Sequence, residues 1–284
     1  MSAGNLVGAE WLARHLSEPD LVIADCRFDL ANAREGRRQY EQGHIPGALY
    51  LDLDKDLSSP KQAHGGRHPL PDLGDFVRKL SALGIDHEVT VVAYDDQRGS
   101  MAAARLWWML RFLGHGRAKV LDGGWSAWRR GGYPETAGVR APRPRTFVPR
   151  IRREMLIDVD ELRLRLRETS QPVIDTRATE RYRGEVEPLD PVAGHIPGAA
   201  NIPWTETVDD AGLMRPSGAL RELFRPVMQD SVPPVLHCGS GVSACVSVLA
   251  MEEAGIPGAR LYLGGWSDWC SYPENPVATA KGGR

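Results

Sequence analysis

The sequence predicts an α/β protein made of two tandem copies of one domain, each a mostly parallel sheet with helices on both faces. Two observations carry that expectation. First, three blocks recur in the same order. Val22-Ile23-Ala24-Asp25-Cys26-Arg27 matches Val173-Ile174-Asp175-Thr176-Arg177, and Gly43-His44-Ile45-Pro46-Gly47-Ala48 matches Gly194-His195-Ile196-Pro197-Gly198-Ala199. Gly123-Gly124-Trp125-Ser126-Ala127-Trp128 then matches Gly264-Gly265-Trp266-Ser267-Asp268-Trp269. Self-similarity in fixed order marks a duplicated unit. Second, short β-branched runs alternate with longer amphipathic stretches, the pattern of a parallel sheet covered by helices.

The first copy is expected over residues 1–135. Its strand ending at Asp25 is followed by a buried strand from Val89 to Tyr94, then a loop Asp95-Asp96-Gln97-Arg98-Gly99-Ser100 and a helix over about Met101–Leu113. Gly114 stands where a helix C-terminus wants a left-handed residue. Residues 136–152, with Pro142, Pro144 and Pro149 and little apolar periodicity, read as a linker. The second copy, 153–284, repeats the scheme: a strand ending at Asp175, a buried strand from Pro234 to His237, and a helix over Ala244–Ala254 closed by Gly255. Ligands in such sheets bind beyond the carboxyl ends of the strands. In the second copy that place begins at Cys238.

The 284 residues are 42% apolar and 25% charged, the composition of a folded protein, with a net charge of -2 that points to neither a nucleic-acid nor a membrane partner. Thirty of the 35 basic residues are Arg, but they are interspersed with acids and read as solvated faces. No apolar run reaches the roughly 20 residues of a membrane span. The first residues lack the regions of a signal peptide, so the expectation is a cytoplasmic protein. Cys26, Cys238, Cys245 and Cys270 have no zinc-finger spacing, and in a reducing compartment they read as thiols.

Cys238-Gly239-Ser240-Gly241-Val242-Ser243-Ala244-Cys245 places a cysteine at the end of a buried strand and small residues at a helix N-terminus. Gly239 and Gly241 let successive N–H groups turn toward one point, and the helix end adds free donors and partial positive charge. A thiolate, a persulfide or the anionic sulfur of a donor is stabilised in such a cradle. The plain alternative is a core cysteine beside a Gly-rich turn. A cysteine phosphatase would need Arg at the sixth position after the nucleophile; Ala244 stands there. Counted without a gap, Asp95 falls opposite Cys238 and Ser100 opposite Ser243. A carboxylate can fill an anion cradle but cannot pick up and release sulfur, so the first copy is expected to be catalytically silent. His237 alternates away from Cys238 and reads as core, and His44 and His195 read as structural. Cys245, on the buried side of its helix, is a possible resolving thiol.

The repeated Gly-His-Ile-Pro-Gly-Ala, the Cys-Gly-Ser-Gly-Val loop and the paired Gly-Gly-Trp blocks resemble the tandem rhodanese-type sulfurtransferases, which include thiosulfate and 3-mercaptopyruvate sulfurtransferases. The resemblance covers about residues 6–278. It implies a five-stranded parallel sheet in each half and catalysis in the second half alone. It also implies ping-pong transfer: a small-molecule donor passes sulfur to Cys238, and cyanide, a small thiol or reduced thioredoxin takes it. No metal or organic cofactor is implied. The loop has no basic residue and is similar to the mercaptopyruvate form. In that form Ser240 relays a proton with an acid that maps onto Asp54, and His68 matches a further pocket residue. Gly239, Gly241, Val242 and Ser243 of the loop are expected to bind the substrate. A carboxylate-binding Arg maps onto Arg181. The second Arg expected near Glu187-Pro188 is replaced by Leu189, with Arg183 the nearby substitute. A redox-sensing or persulfide-carrying module acting through a protein partner is the alternative function.

Overall fold

The computed structural model describes residues 4–96, 101–139, 141–168, 171–228 and 232–280. Gln97–Ser100, and with them the counterpart of Ser243, lie outside the described residues. The chain divides into two compact units: 1–59 with 70–152 and 210–214, and 60–69 with 153–209 and 215–284.

In the first unit the elements run β1 (Leu6–Val7), α1 (Ala9–His15), β2 (Leu21–Asp25), α2 (Glu35–Gln42), β3 (Ala48–Tyr50), α3 (Leu73–Ala82), β4 (Thr90–Tyr94), α4 (Met101–Phe112), β5 (Ala118–Leu121) and α5 (Gly124–Arg130). The five strands form one sheet in the order β1-β5-β4-β2-β3, and every pairing is parallel. β4 is its central strand with β2 beside it, Ile23 opposite Val92, and both read as near-continuous apolar runs because helices cover both faces. Val7, Leu12, Ile23, Tyr40, Ile45, Val92 and Trp128 close one side of the core.

The second unit repeats this: β6 (Leu156–Ile157), α6 (Val159–Glu168), β7 (Val173–Asp175), α7 (Thr179–Tyr182), β8 (Ala200–Asn201), α8 (Ser217–Phe224), β9 (Val235–His237), α9 (Ala244–Glu253), β10 (Arg260–Tyr262) and α10 (Gly265–Trp269). Its sheet order is β6-β10-β9-β7-β8, again all parallel, so the two units share one topology.

The helices next to the matched loops differ from the expectation of amphipathic stretches. α4 is buried from Ala102 to Leu110, and α9 from Ala244 to Met251. A helix without a polar face belongs inside, and both end at glycines in the left-handed region, Gly114 at φ 84° and Gly255 at φ 74°. Residues 141–152 are held along the first unit. Arg145 N–H donates to Ser81 O, Arg150 N–H to Leu113 O and Arg152 N–H to Phe112 O, while Phe147 is buried. Arg145 also pairs with Asp20 and Asp86.

Candidate active site

β9 delivers Cys238 to the end of the sheet. Its carbonyl accepts a 2.8 Å hydrogen bond from Trp266 N–H, and Gly239 O accepts one of 2.9 Å from Ser267 N–H, so the first turn of α10 anchors the loop. The Gly-Gly-Trp block therefore supports the loop from below. Gly265 sits at φ 62°, and a Cβ there would lie 2.5 Å from Cys238 O. Gly241 is equally constrained: its φ is 70°, and a Cβ would approach Leu263 O to 2.2 Å. Beyond it, Cys245 N–H donates to Val242 O and Val246 N–H to Ser243 O, which starts α9. Ser243 is its N-cap, with no capping bond from its own side chain. Cys238, Ser240, Val242 and Ser243 are all buried, Cys238 with 2% of its surface exposed.

Gly239 has a different reason to be glycine. The sequence reading gave it a turning role alongside Gly241, but among these two only Gly241 adopts positive φ. What Gly239 provides is room. The nearest atoms to a Cβ at this position are guanidinium nitrogens, Arg67 Nη2 at 2.6 Å and Arg181 Nη1 and Nη2 at 3.6 Å. Arg67 was not anticipated from the sequence. It belongs to the short segment 60–69, which is part of the second unit. That segment is fixed by Gly65 N–H to Asp268 Oδ1 (2.7 Å), Arg67 N–H to Ser267 Oγ (3.0 Å), and the His64 ring stacked on Tyr272 at 4.0 Å.

Below the guanidiniums lie two buried acids. Arg67 Nη1 pairs with Asp190; Arg181 Nε and Nη2 pair with Glu187, and Nη2 lies 3.4 Å from Asp190 Oδ2. His68, one residue on from Arg67, shares a 2.8 Å hydrogen bond between Nδ1 and Ser240 Oγ. The structure thus brings Cys238, Ser240, His68 and Arg181 into one unit around one loop. Arg183 is instead exposed at the end of α7, with its N–H on Thr179 O, and is not among the nearest neighbours of Gly239. Leu189 is 49% exposed. Asp54 stands in the first unit on the turn after β3. Its N–H donates to Asp52 Oδ1, and partial desolvation, with Asp52 nearby, raises its carboxyl above the usual carboxylate range.

His237 is fully buried. Desolvation lowers it, so the ring is neutral, and Nδ1–H donates to Cys238 O (3.1 Å). Burial holds Cys26 protonated, with Asp25 adding to the effect, and pushes the Cys270 thiol up to about 11, where Asp190 and Glu187 add to it. Cys245 is also fully buried, its Sγ donating to Gly241 O at 3.4 Å. Among the described residues no group of three or more His, Cys, Asp or Glu could hold a metal ion.

A family model described as a rhodanese-like domain matches residues 8–130 and again 158–272. The chain belongs to the rhodanese-like family, and it is a sulfurtransferase. A Pseudomonas aeruginosa protein named "Probable 3-mercaptopyruvate sulfurtransferase" is 43% identical over 98% of this chain and 99% of its own. The human 3-mercaptopyruvate sulfurtransferase is 35% identical over 98% of this chain and 96% of its own. A crystal structure of the Escherichia coli 3-mercaptopyruvate sulfurtransferase superposes with a TM-score of 0.79 at 32% identity, covering 93% of this chain and 99% of that one.

In this sulfurtransferase Asp95, at the position matched to Cys238, is held by the same backbone bond as Cys238. Asp95 O accepts from Trp125 N–H at 2.9 Å, as Cys238 O does from Trp266 N–H, and the Asp95 carboxylate accepts from Ala103 N–H at 3.0 Å on α4. The repeated blocks are a structural tie. Arg27 Nη2 reaches Asp25 Oδ2 (2.6 Å) and Gly43 O (2.7 Å) under Trp125; Arg177 Nη2 reaches Asp175 Oδ2 (2.6 Å) and Gly194 O (2.6 Å) under Trp266. His44 and His195 stack on Tyr40 and Tyr182 and bond their carbonyls, as structural residues do.

Proposed function

We propose that this sulfurtransferase moves sulfur from 3-mercaptopyruvate to a thiol acceptor through a persulfide on Cys238, releasing pyruvate. The observation that carries the reading is the hydrogen bond of 2.8 Å between Ser240 Oγ and His68 Nδ1, two residues from the nucleophile. The Cys238 thiolate attacks the donor sulfur, an S–S bond forms, and the C–S bond breaks with its electron pair on carbon. The resulting enolate must be protonated to become pyruvate. The proton that was on the donor sulfur balances the step, and a hydroxyl–imidazole pair at the loop can carry it. Thiosulfate needs no such relay, because sulfite leaves as a stable anion. Main-chain N–H groups at the start of α9 favour the negative charge on sulfur. In the second half-reaction the thiol acceptor, a small thiol or reduced thioredoxin, attacks the outer sulfur and Cys238 leaves as thiolate.

Arg181 is proposed to hold the donor's carboxylate, and Gly239, Gly241, Val242 and Ser243 to shape the loop. Sequence resemblance adds Asp54 to the proton relay. The first unit, with Asp95 at the matched position, is proposed to be silent.

The test compares 3-mercaptopyruvate with thiosulfate at equal concentration. Cys238→Ser is expected to lose both reactions. Ser240→Ala should lower kcat with 3-mercaptopyruvate by on the order of 100-fold or more while sparing thiosulfate. Activity surviving in Cys238→Ser would sink the nucleophile, and equal losses for both donors in Ser240→Ala would sink the relay.

A further inference from the structure

We propose that the first unit carries a recognition site of its own, a pocket beside Arg27 and Trp125 that takes an acidic peptide segment of a partner protein. The site uses no residue of the Cys238 loop and does not depend on sulfur transfer.

The two units differ at one place in their repeated tie. A tyrosine and a histidine stack in each, but Tyr40 and His44 are 4 residues apart whereas Tyr182 and His195 are 13 apart. The longer connection of the second unit returns over its tie. Glu187 Oε2 accepts from Arg177 Nη1 at 3.2 Å, and Val192 O accepts from Trp266 Nε1–H at 2.8 Å. In the first unit Arg27 uses Nε and Nη2 in the same way, on Asp25 and Gly43 O, and packs on Trp125. There α2 ends at Gln42, directly before the motif, and leaves no chain to return. Among the described residues, Arg27 Nη1 and Trp125 Nε1 carry no hydrogen bond.

A pocket of about 560 Å³ stands in place of that segment, with Arg27 and Trp125 in its wall and Gln42 at its exposed rim. Asp96 and Glu135 also line it, with Arg38 and Arg129. Arg38 pairs with Glu35 and Arg129 with Glu135, so recognition falls to Arg27. Arg27 is only 2% exposed, and a carboxylate that reaches Nη1 forms a charge-assisted bond sheltered from water. The second unit shows which chemistry satisfies both donors: a carboxylate on the guanidinium and, a few residues further on, a main-chain carbonyl on the indole. A free organic acid supplies the first acceptor, whereas a peptide supplies both.

The probe is acetyl-Glu-Pro-Leu-Asp-Pro-Val-amide, the order of residues 187–192, carrying a fluorophore and titrated by anisotropy against the full chain. The indole N–H resonance of Trp125, identified by its loss in Trp125→Phe, should move on titration. Affinity is expected to fall about tenfold or more when Gln replaces the Glu of the peptide. Trp125→Phe keeps a ring over Arg27 but has no donor, and should weaken binding about three- to tenfold. Gln42→Glu adds a negative charge at the rim and should weaken it about threefold, more at low salt. Arg27 itself is left intact, because Arg27→Gln would also break the tie to Asp25. Glutarate, a free dicarboxylic acid, should need on the order of tenfold higher concentration to move the same resonance. A Trp125 resonance that stays in place, a Gln-containing peptide that binds as well, or wild-type affinity in both variants would each overturn the site. Glutarate binding as tightly as the peptide would overturn the peptide as occupant in favour of a free organic acid.

Discussion

Cys238 is one of four thiols, and its neighbours separate it from the rest: Cys26 is buried beside Asp25, Cys270 faces Asp190 and Glu187, and Cys245 is engaged by Gly241 O. Its loop was legible in the sequence because a strand, two glycines and a helix start are local features. Arg67 was not legible. Its ion pair with Asp190 spans 123 residues, and nothing local in Gly65-Gly66-Arg67 distinguishes it from a surface Arg. The one available signal was the adjacent His68, already assigned to the pocket. A separate consequence at this scale concerns His115 in the first unit. Its Nε2–H donates to Asp86 O (2.9 Å) and its Nδ1 accepts from Arg117 N–H (3.2 Å), so the folded protein needs the neutral ring. Burial lowers it to about 4. Below about pH 6.5 the unfolded state binds the proton and the folded state does not, so stability falls as pH drops toward 4. The largest loss from this group is about 3 kcal/mol. Denaturant midpoints near neutral pH and near about pH 4.5 should differ less in His115→Gln than in wild type. An identical pH dependence in the two proteins would contradict this.

At the scale of elements, the repeated blocks mark the fold, and the structure shows why they repeat together. The Asp-x-Arg strand end, the glycine of Gly-His-Ile-Pro-Gly-Ala and the Trp of Gly-Gly-Trp meet at one buried Arg in each unit. Strand alternation gave the parallel sheet, but the all-round burial of α4 and α9 was hidden, since an apolar stretch carries no period to read. Segment 60–69 was also illegible as part of the second unit, because sequence adjacency assigns it to the first copy. Its docking depends on Gly66, at φ 84°, where a Cβ would lie 2.4 Å from Gly264 O. Backbone cannot yield cheaply there. Gly66→Ala is expected to lower kcat/KM with 3-mercaptopyruvate by about tenfold or more, since Arg67 and His68 both ride on this segment. Trypsin should also cut faster after Arg67. Wild-type kinetics together with wild-type protection would show that the segment is not a support for the site.

For the whole molecule, duplication yields two units with the same sheet order and the same supporting ties, while the residues after the matched strands differ, Asp95 in one and Cys238 in the other. Asp95 follows β4 in one unit and Cys238 follows β9 in the other, and in the proposed function only the cysteine carries sulfur. Among the described residues no helix is long and apolar enough to cross a membrane. Carriage of sulfur by Cys238 is tested most directly by mass spectrometry of the intact chain after brief exposure to 3-mercaptopyruvate without acceptor. The expected result is the gain of one sulfur atom, located on the peptide containing Cys238, removed by a thiol and absent from Cys238→Ser. An unmodified chain that nonetheless turns over the donor, or the added sulfur on Cys26, Cys245 or Cys270 instead, would contradict it.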